Sequence, residues 1–310
     1  MWRVISFKIL LIVIINPEDL HMYTLFTDTD CDITPEIAER YGYKLISMPY
    51  TIEGQQVFPY VDFKEFDYKE FYNRLRKGVI PTTSALSPTE YVNYFEPEFA
   101  AGRDILYVHF SAAMTATFNS MRLALEELAE KYPDRKLYEI DTKGITLGSY
   151  NICHYIGEMY KNGASIEDIQ KWAEVEIDKT AFYFYADDLK FFGKSGRVSG
   201  FAAFFGNIIG LKPIIYIGND GKMTTKDKCR GRKQALQKLL QYVIDLEENI
   251  KDYRVTIAHT DALEIAEEFG NMMKKHFGED LNIEYEVVNP TAGSHCGPNA
   301  MGVSFHAKHR

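Results

Sequence analysis

The sequence predicts an α/β fold in two units, the first a mainly parallel Rossmann-like sheet and the second a smaller mixed sheet with helices. Three observations carry this. Strand-length apolar runs alternate with amphipathic helical segments from Tyr23 to Lys161, the pattern of a parallel sheet covered on both faces. Three of those runs end on polar residues, Asp28, Ser111 and Asp141, and open sheets of this kind gather ligands beyond the carboxyl ends of their strands. From about Ala181 the alternation gives way to aromatic runs and a hairpin. Residues 22–178 are expected to form the first unit and 179–310 the second. Residues 1–21 are expected to be an extension outside the fold.

The elements follow in order. Ile9 to Ile15 is apolar behind Arg3 and Lys8, but it is too short to span a bilayer, and Asn16-Pro17-Glu18-Asp19 stands where a cleavage site belongs. Tyr23 to Thr27 reads as the first strand. Thr34-Pro35-Glu36 gives an N-cap with proline at the first helical position, and that helix stops near Gly42. Lys44 to Tyr50 is the second strand and Phe63 to Lys77 a helix. Ser87 and Glu90 form a capping box with Pro88 between them, leaving Thr82, Thr83 and Ser84 as spare hydroxyls. Ile105 to Phe110 is a strand buried on both faces. The small, hydroxylated turn Ser111 to Thr117 follows it and opens a helix to about Tyr132. A turn of this kind aims backbone N–H groups and hydroxyls at one spot suited to a phosphate or carboxylate. Read alone, it is also an ordinary loop in which Thr115 or Thr117 caps the helix.

Leu137 to Ile140 is a further strand, Thr146 to Lys161 a helix, and Ser165 with Asp168 starts another helix. Phe182 to Tyr185 is an aromatic strand, and Gly193 to Ser199 a turn with one prominent arginine, Arg197. Phe201, Phe204, Phe205, Ile208, Ile209 and Leu211 recur at helix-like intervals. Lys212 to Gly218 and Lys222 to Lys226 flank a turn at Asn219-Asp220-Gly221, and Lys228 to Lys233 opens a long helix. Tyr253 to His259 is a strand, Asp261 caps a helix to about Phe277, and Ile283 to Val288 is a strand. Gly293 to Val303 reads as a loop leading into the last strand.

Composition excludes some classes. The chain has 310 residues, 46% of them hydrophobic, enough for a large core. Its net charge of −9 and lack of a basic stripe argue against a nucleic-acid binder. Cys31, Cys153, Cys229 and Cys296 show no metal or redox spacing, which fits reduced thiols of a cytoplasmic protein. No glycine fingerprint for a dinucleotide follows the first strand. Asp28-x-Asp30 resembles the nucleophile motif of haloacid-dehalogenase-type phosphatases, in which the first Asp attacks phosphorus beside Mg²⁺. Acidic residues near a helix start account for the same pattern. Cys296 beside His295 is a candidate nucleophile without an oriented base. The 20 Phe and 21 Tyr fit a thick core or a long apolar cavity.

Six segments in order carry a more specific resemblance: Thr27-Asp28-Thr29 with Asp32, Thr83-Ser84-Ala85-Leu86-Ser87, Ser111 to Thr117, Gly196-Arg197-Val198-Ser199, Lys228-Cys229-Arg230 and His295-Cys296-Gly297-Pro298. Together they resemble the DegV family of bacterial fatty-acid-binding proteins, from about Met22 to the C-terminus. The resemblance implies a non-enzymatic protein holding one long-chain fatty acid in a tunnel between two α/β domains. It further implies presentation of the carboxylate to a separate ATP-dependent fatty acid kinase for acyl-phosphate formation. Carried over by position, Thr83, Thr115 and Ser111 meet the carboxylate, while Arg197, Arg230 and His295 face the phosphate or the kinase. No catalytic residue, metal or cofactor is implied, and no stable membrane insertion. This sequence has Ala112 and Ala116 where the family has Ser and Gly, and Asn299 in place of a Gly, where Asn tolerates positive φ.

Overall fold

A computed structural model describes residues 23–199 and 210–310. The N-terminal extension and the helix-like spacing from Phe201 to Ile209 lie outside the described residues. Leu211, the last apolar residue of that series, begins a strand instead.

The first sheet has four parallel strands in the order β2-β1-β6-β7, formed by Tyr43–Ile46, Tyr23–Asp28, Asp104–His109 and Leu137–Asp141. Its two central strands are buried almost throughout, as expected for a sheet covered on both faces. Four of its helices start on local signals. Thr34 caps α1 (Pro35–Tyr41) through the Ile37 N–H, and Asp67 caps α2 (Tyr68–Arg76). Ser87 and Glu90 close a capping box on α3 (Pro88–Ala100), as Ser165 and Asp168 do on α6 (Ile166–Glu176). α2 is shorter than the sequence suggested, because Phe63 and Phe66 pack in an aromatic cluster ahead of it.

A second sheet of seven strands runs β13-β12-β14-β8-β10-β11-β9. Its strands are β8 (Thr180–Tyr185), β9 (Val198–Ser199), β10 (Leu211–Ile217), β11 (Met223–Arg230), β12 (Val255–His259), β13 (Ile283–Val287) and β14 (Met301–His306). It is mixed, with the β12–β13 and β11–β9 pairs parallel and the rest antiparallel. Among the described residues it holds more strands than the first sheet. A small third sheet joins β4 (Gln55–Val57), β3 (Tyr50–Ile52) and β5 (Thr82–Thr83), strands too short to read from sequence.

α4 (Thr117–Lys131) covers the first sheet, while α8 (Gly231–Leu246) and α9 (Leu263–Phe277) cover the second. α8 starts later than expected because β11 continues through Lys228-Cys229-Arg230. Asp261 does not cap α9; its carboxylate pairs with Arg76. α5 (Leu147–Lys161) is buried all round from Leu147 to His154 and packs against α1, β8, β12 and β14. A helix buried on every face belongs between layers, and this one, whose Asn151 bonds Thr256 and Ser304 and whose Cys153 O accepts from Tyr43, lies between the two larger sheets.

Two short helices complete the second half: α7 (Leu189–Ser195) and α10 (Pro290–Cys296). The stretch read as a loop from Gly293 is therefore helical as far as Cys296. Asn289 accepts the Ala292 N–H at 2.9 Å, with Pro290 at the first helical position. Long-range contacts bind the halves together. Asp32 Oδ1 accepts the backbone N–H and side-chain amide of Asn289 at 3.0 and 2.6 Å, and the Tyr72 hydroxyl donates to Val288 O at 2.9 Å. No helix among the described residues is long and apolar enough to cross a membrane.

Candidate functional site

Where the strand ends of the first sheet face β8, β12, β14 and α10, a cavity encloses about 1130 Å³ of atom-free space, its mouth included. Phe110, Phe182, Phe184, Met48, Met223 and Met301 supply much of its apolar wall. Four of the six residues singled out from the sequence, Thr83, Thr115, Arg197 and His295, line this cavity, and Ser111 and Arg230 do not.

Thr83 is set by β5, where it pairs with Tyr50 of β3. Its Oγ1 lies 2.9 Å from His295 Nε2. His295 occupies the last turn of α10, which closes at Gly297 with φ +70. A Cβ there would sit 2.3 Å from the Phe191 ring, so glycine is required by both conformation and space. Burial, then the nearby Arg197 guanidinium, pulls the imidazole down to about 4, and the ring is neutral at pH 7. A neutral ring donates or accepts at Nε2 according to tautomer. With the proton on Nε2, Thr83 accepts from His295 and keeps its own hydroxyl hydrogen for a ligand.

Thr115 sits one residue before Ala116, the N-cap position of α4, whose side chain forms no cap. Its Oγ1 instead accepts the Thr117 N–H at 3.1 Å. That bond uses a lone pair and leaves the hydroxyl hydrogen to donate. Thr117, the other capping candidate, bonds the Leu86 N–H and the Tyr91 hydroxyl at 3.1 and 3.0 Å.

Ser111 is fully buried behind the wall. Its hydroxyl donates to Gly221 O at 2.8 Å and accepts the Ala113 N–H at 3.3 Å. Gly221 turns the β10–β11 hairpin with φ +72, and a Cβ would lie 2.3 Å from Ser111 Oγ. Arg230 ends β11, exposed. Cys229 packs into the core under α8, so alternation puts Lys228 and Arg230 on the opposite face of the sheet.

The acidic turn after β1 is buried. Asp28 accepts the Asp30 N–H at 3.0 Å on one oxygen, and the Tyr107 hydroxyl and Phe110 N–H at 3.0 and 3.3 Å on the other. Both oxygens of the candidate phosphatase nucleophile are thus bonded to neighbouring chain, and Asp28 does not line the cavity. Burial pushes its carboxyl up to about 6, against the opposing pull of His109. Burial likewise raises Asp32 to about 7, despite its two bonds from Asn289. Asp30, the second acid of the phosphatase-like pair, does reach the cavity wall, as do Thr146, Thr260 and Thr291, three residues that did not stand out as site residues in the sequence. The Asn289-Pro290 helix start was the one local signal that could have flagged Thr291. Cys296 also lines the cavity, and burial, then Asp32, raises its thiol to about 12, which keeps it protonated.

Known proteins share this architecture. A DegV domain-containing protein of Clostridium perfringens is 32% identical over 284 residues, 91% of this chain and 97% of the relative. One of Caldanaerobacter subterraneus is 28% identical over 287 residues, covering 92% and 98%. Among solved structures, the fatty acid binding DegV family protein of Streptococcus agalactiae superposes with a TM-score of 0.80 at 22% identity, covering 93% of this chain and 99% of that one. A DegV family protein of Thermus thermophilus, whose structure concerns fatty acid binding, gives 0.79 at 22% identity, covering 92% and 99%. The family profile described as "Uncharacterised protein, DegV family" matches residues 22–308. The chain belongs to the DegV family.

Proposed function

We propose that this protein binds one long-chain fatty acid in the cavity and presents its carboxylate, in the cytoplasm, to a separate ATP-dependent kinase. The observation that carries the reading is the cavity's composition. Its wall includes the Thr83 and Thr115 hydroxyls and His295, which contacts Thr83, while Phe and Met side chains supply much of the apolar remainder. A 16-carbon acid carries about 14 methylenes at about 0.8 kcal/mol each, so tail burial supplies roughly 11 kcal/mol. The head then needs only hydrogen bonds that offset desolvation of its carboxylate. Solved relatives from Thermus thermophilus and Streptococcus agalactiae are described as fatty-acid-binding, which supports the same ligand class here.

In this reading Thr83 and Thr115 donate to the carboxylate, and Ser111 acts through the turn it holds. His295 orients Thr83. Arg197, at the cavity, and Arg230, outside it, meet the phosphate or the kinase. The chain itself performs no turnover. Native mass spectrometry of the protein purified from a bacterial host tests the proposal: a co-purified acyl chain is expected. A clean apo mass with no uptake of added palmitate or oleate refutes it. Acyl-phosphate formation with added kinase and ATP, reduced in Arg230→Ala at unchanged lipid affinity, tests the partnership separately.

A further inference from the structure

Arg310 is only 5% exposed, although arginine is almost never buried without partners. Its partners are backbone carbonyls from two segments of the chain. Nη2 donates to Thr142 O and Nη1 to Lys143 O, both at 2.6 Å, and Nε donates to Ile177 O at 2.8 Å. The Arg310 N–H donates to Asp178 O at 3.0 Å, and the Ala307 N–H to Lys179 O at 2.8 Å. The segment after β14 is therefore fastened along residues 177–179, and the Arg310 side chain crosses from there to the turn that follows β7.

That turn leads straight into the cavity. Ile145 and Thr146 belong to the cavity wall, and Gly144 O accepts the N–H of Ser111 at 2.6 Å, the residue whose hydroxyl holds the β10–β11 hairpin. Its backbone is not one these residues adopt by preference. Lys143 has φ 49 and Thr146 φ 51, both positive, and Thr146 is β-branched. Such conformations persist where the surrounding structure over-determines them. Arg310 supplies part of that constraint, because charge-assisted bonds to two consecutive carbonyls fix the peptide planes at the start of the turn. Arg310 lies beyond the residues matched by the family profile, and it is not among those that carry the family resemblance.

We propose that Arg310 is a positioning residue for the ligand: its guanidinium holds residues 142–146 so that Ile145 and Thr146 complete the cavity wall, and this links fatty-acid binding to docking of the segment after β14. The proposal rests on the fatty-acid reading above. Linkage is reciprocal, so a latch that strengthens ligand binding is itself strengthened by the ligand, and by the same factor. An arginine that only stabilises the fold carries no such link.

The test measures palmitate binding by calorimetric titration in wild type, Arg310→Ala and Arg103→Ala, each confirmed as folded by circular dichroism. Arg103 is the control. It pairs with the buried Glu98 at 2.7 Å at the opposite ends of the first sheet's strands, so its loss lowers stability without reaching the cavity. Arg310→Ala should bind palmitate about tenfold more weakly, a factor typical of coupled sites, and Arg103→Ala should stay within about twofold of wild type. In wild type, saturating palmitate should slow hydrogen exchange at the Ala307 and Arg310 amides at least about fivefold more than at the Arg103 amide. Unchanged affinity in Arg310→Ala, or an equal loss in Arg103→Ala, overturns the proposal, since Arg310 then only stabilises the fold. If Arg310→Ala does not fold, the exchange measurement decides, and equal slowing at both places overturns the proposal. Failure of wild type to bind palmitate refutes instead the fatty-acid reading beneath it.

Discussion

Replacing Thr83 by valine is the sharpest test of the proposed carboxylate site, because the change removes a hydroxyl and little else. Valine keeps the β-branched shape that suits the short strand β5, so the pairing of Thr83 with Tyr50 should survive. Two interactions are lost. The first is the proposed bond to the ligand carboxylate; a hydrogen bond to a charged acceptor is worth about 1.5–3 kcal/mol, a loss of roughly ten- to 150-fold in affinity. The second is the 2.9 Å contact with His295 Nε2, which exists without ligand and therefore appears as stability. Its loss should cost about 0.5–1.5 kcal/mol in the apo protein. Calorimetric titration with palmitate reads the first quantity, and urea unfolding of the apo protein the second. A Thr115→Ser control should bind within about twofold of wild type, since its hydroxyl survives. A folded Thr83→Val protein that binds palmitate as wild type does would refute the assignment of Thr83 to the head group, whatever its stability.

Other outcomes follow from the same contacts. His295→Ala should weaken palmitate binding several-fold by releasing Thr83, whereas Arg230→Ala, outside the cavity, should leave it unchanged; titrating both variants separates the two. Ser111→Ala leaves the buried Gly221 carbonyl without its donor, and should lower apo stability by about 1–3 kcal/mol in urea unfolding. Asp32 has a folded pKa of about 7 against an ordinary 3.8, so its stabilising contribution is fully present below 3.8 and is lost as pH rises through about 7. Three units correspond to a loss on the order of 4 kcal/mol from this group across that window. Asp32→Asn keeps the Oδ1 acceptor used by Asn289 and tolerates the φ of 56, so it should stabilise the protein at pH 8 and flatten the profile. Denaturant unfolding at pH 5 and pH 8 decides; an equally steep profile in the variant would contradict the assignment to Asp32.

What could be read in the sequence was whatever local chemistry determines. Ser87 with Glu90, Ser165 with Asp168 and Thr34 with Pro35 announce helices because each start is satisfied within four residues, and all three lie where expected. Asn299 takes a φ of 63, the conformation expected of an Asn in a glycine position. α10 was missed although Asn289-Pro290 signals it, because Gly293 and a length of seven residues weaken the periodic pattern. The site itself was legible only in part. The pairing of Thr83 with His295 spans 212 positions and that of Ser111 with Gly221 spans 110, and nothing near either residue names its partner. Asp30 illustrates the same limit. In the sequence it reads as half of a phosphatase-like Asp-x-Asp pair or as an acid near a helix start, and only the packing shows it in a cavity wall.

The distances along the chain between these partners have a kinetic consequence. Thr83 meets His295 across 212 positions and Asp32 meets Asn289 across 257, so the walls that enclose the cavity are joined by some of the longest loops the polypeptide can close. Loop-closure entropy must be overcome before such contacts return any energy, which places them late in folding. On refolding from urea, far-UV circular dichroism should therefore recover before uptake of a fluorescent fatty acid, and simultaneous recovery would exclude this order. A chain still on the ribosome lacks α10, Pro290–Cys296, until most of the fold before it has been made, so the proposed affinity for ligand should arrive late in synthesis.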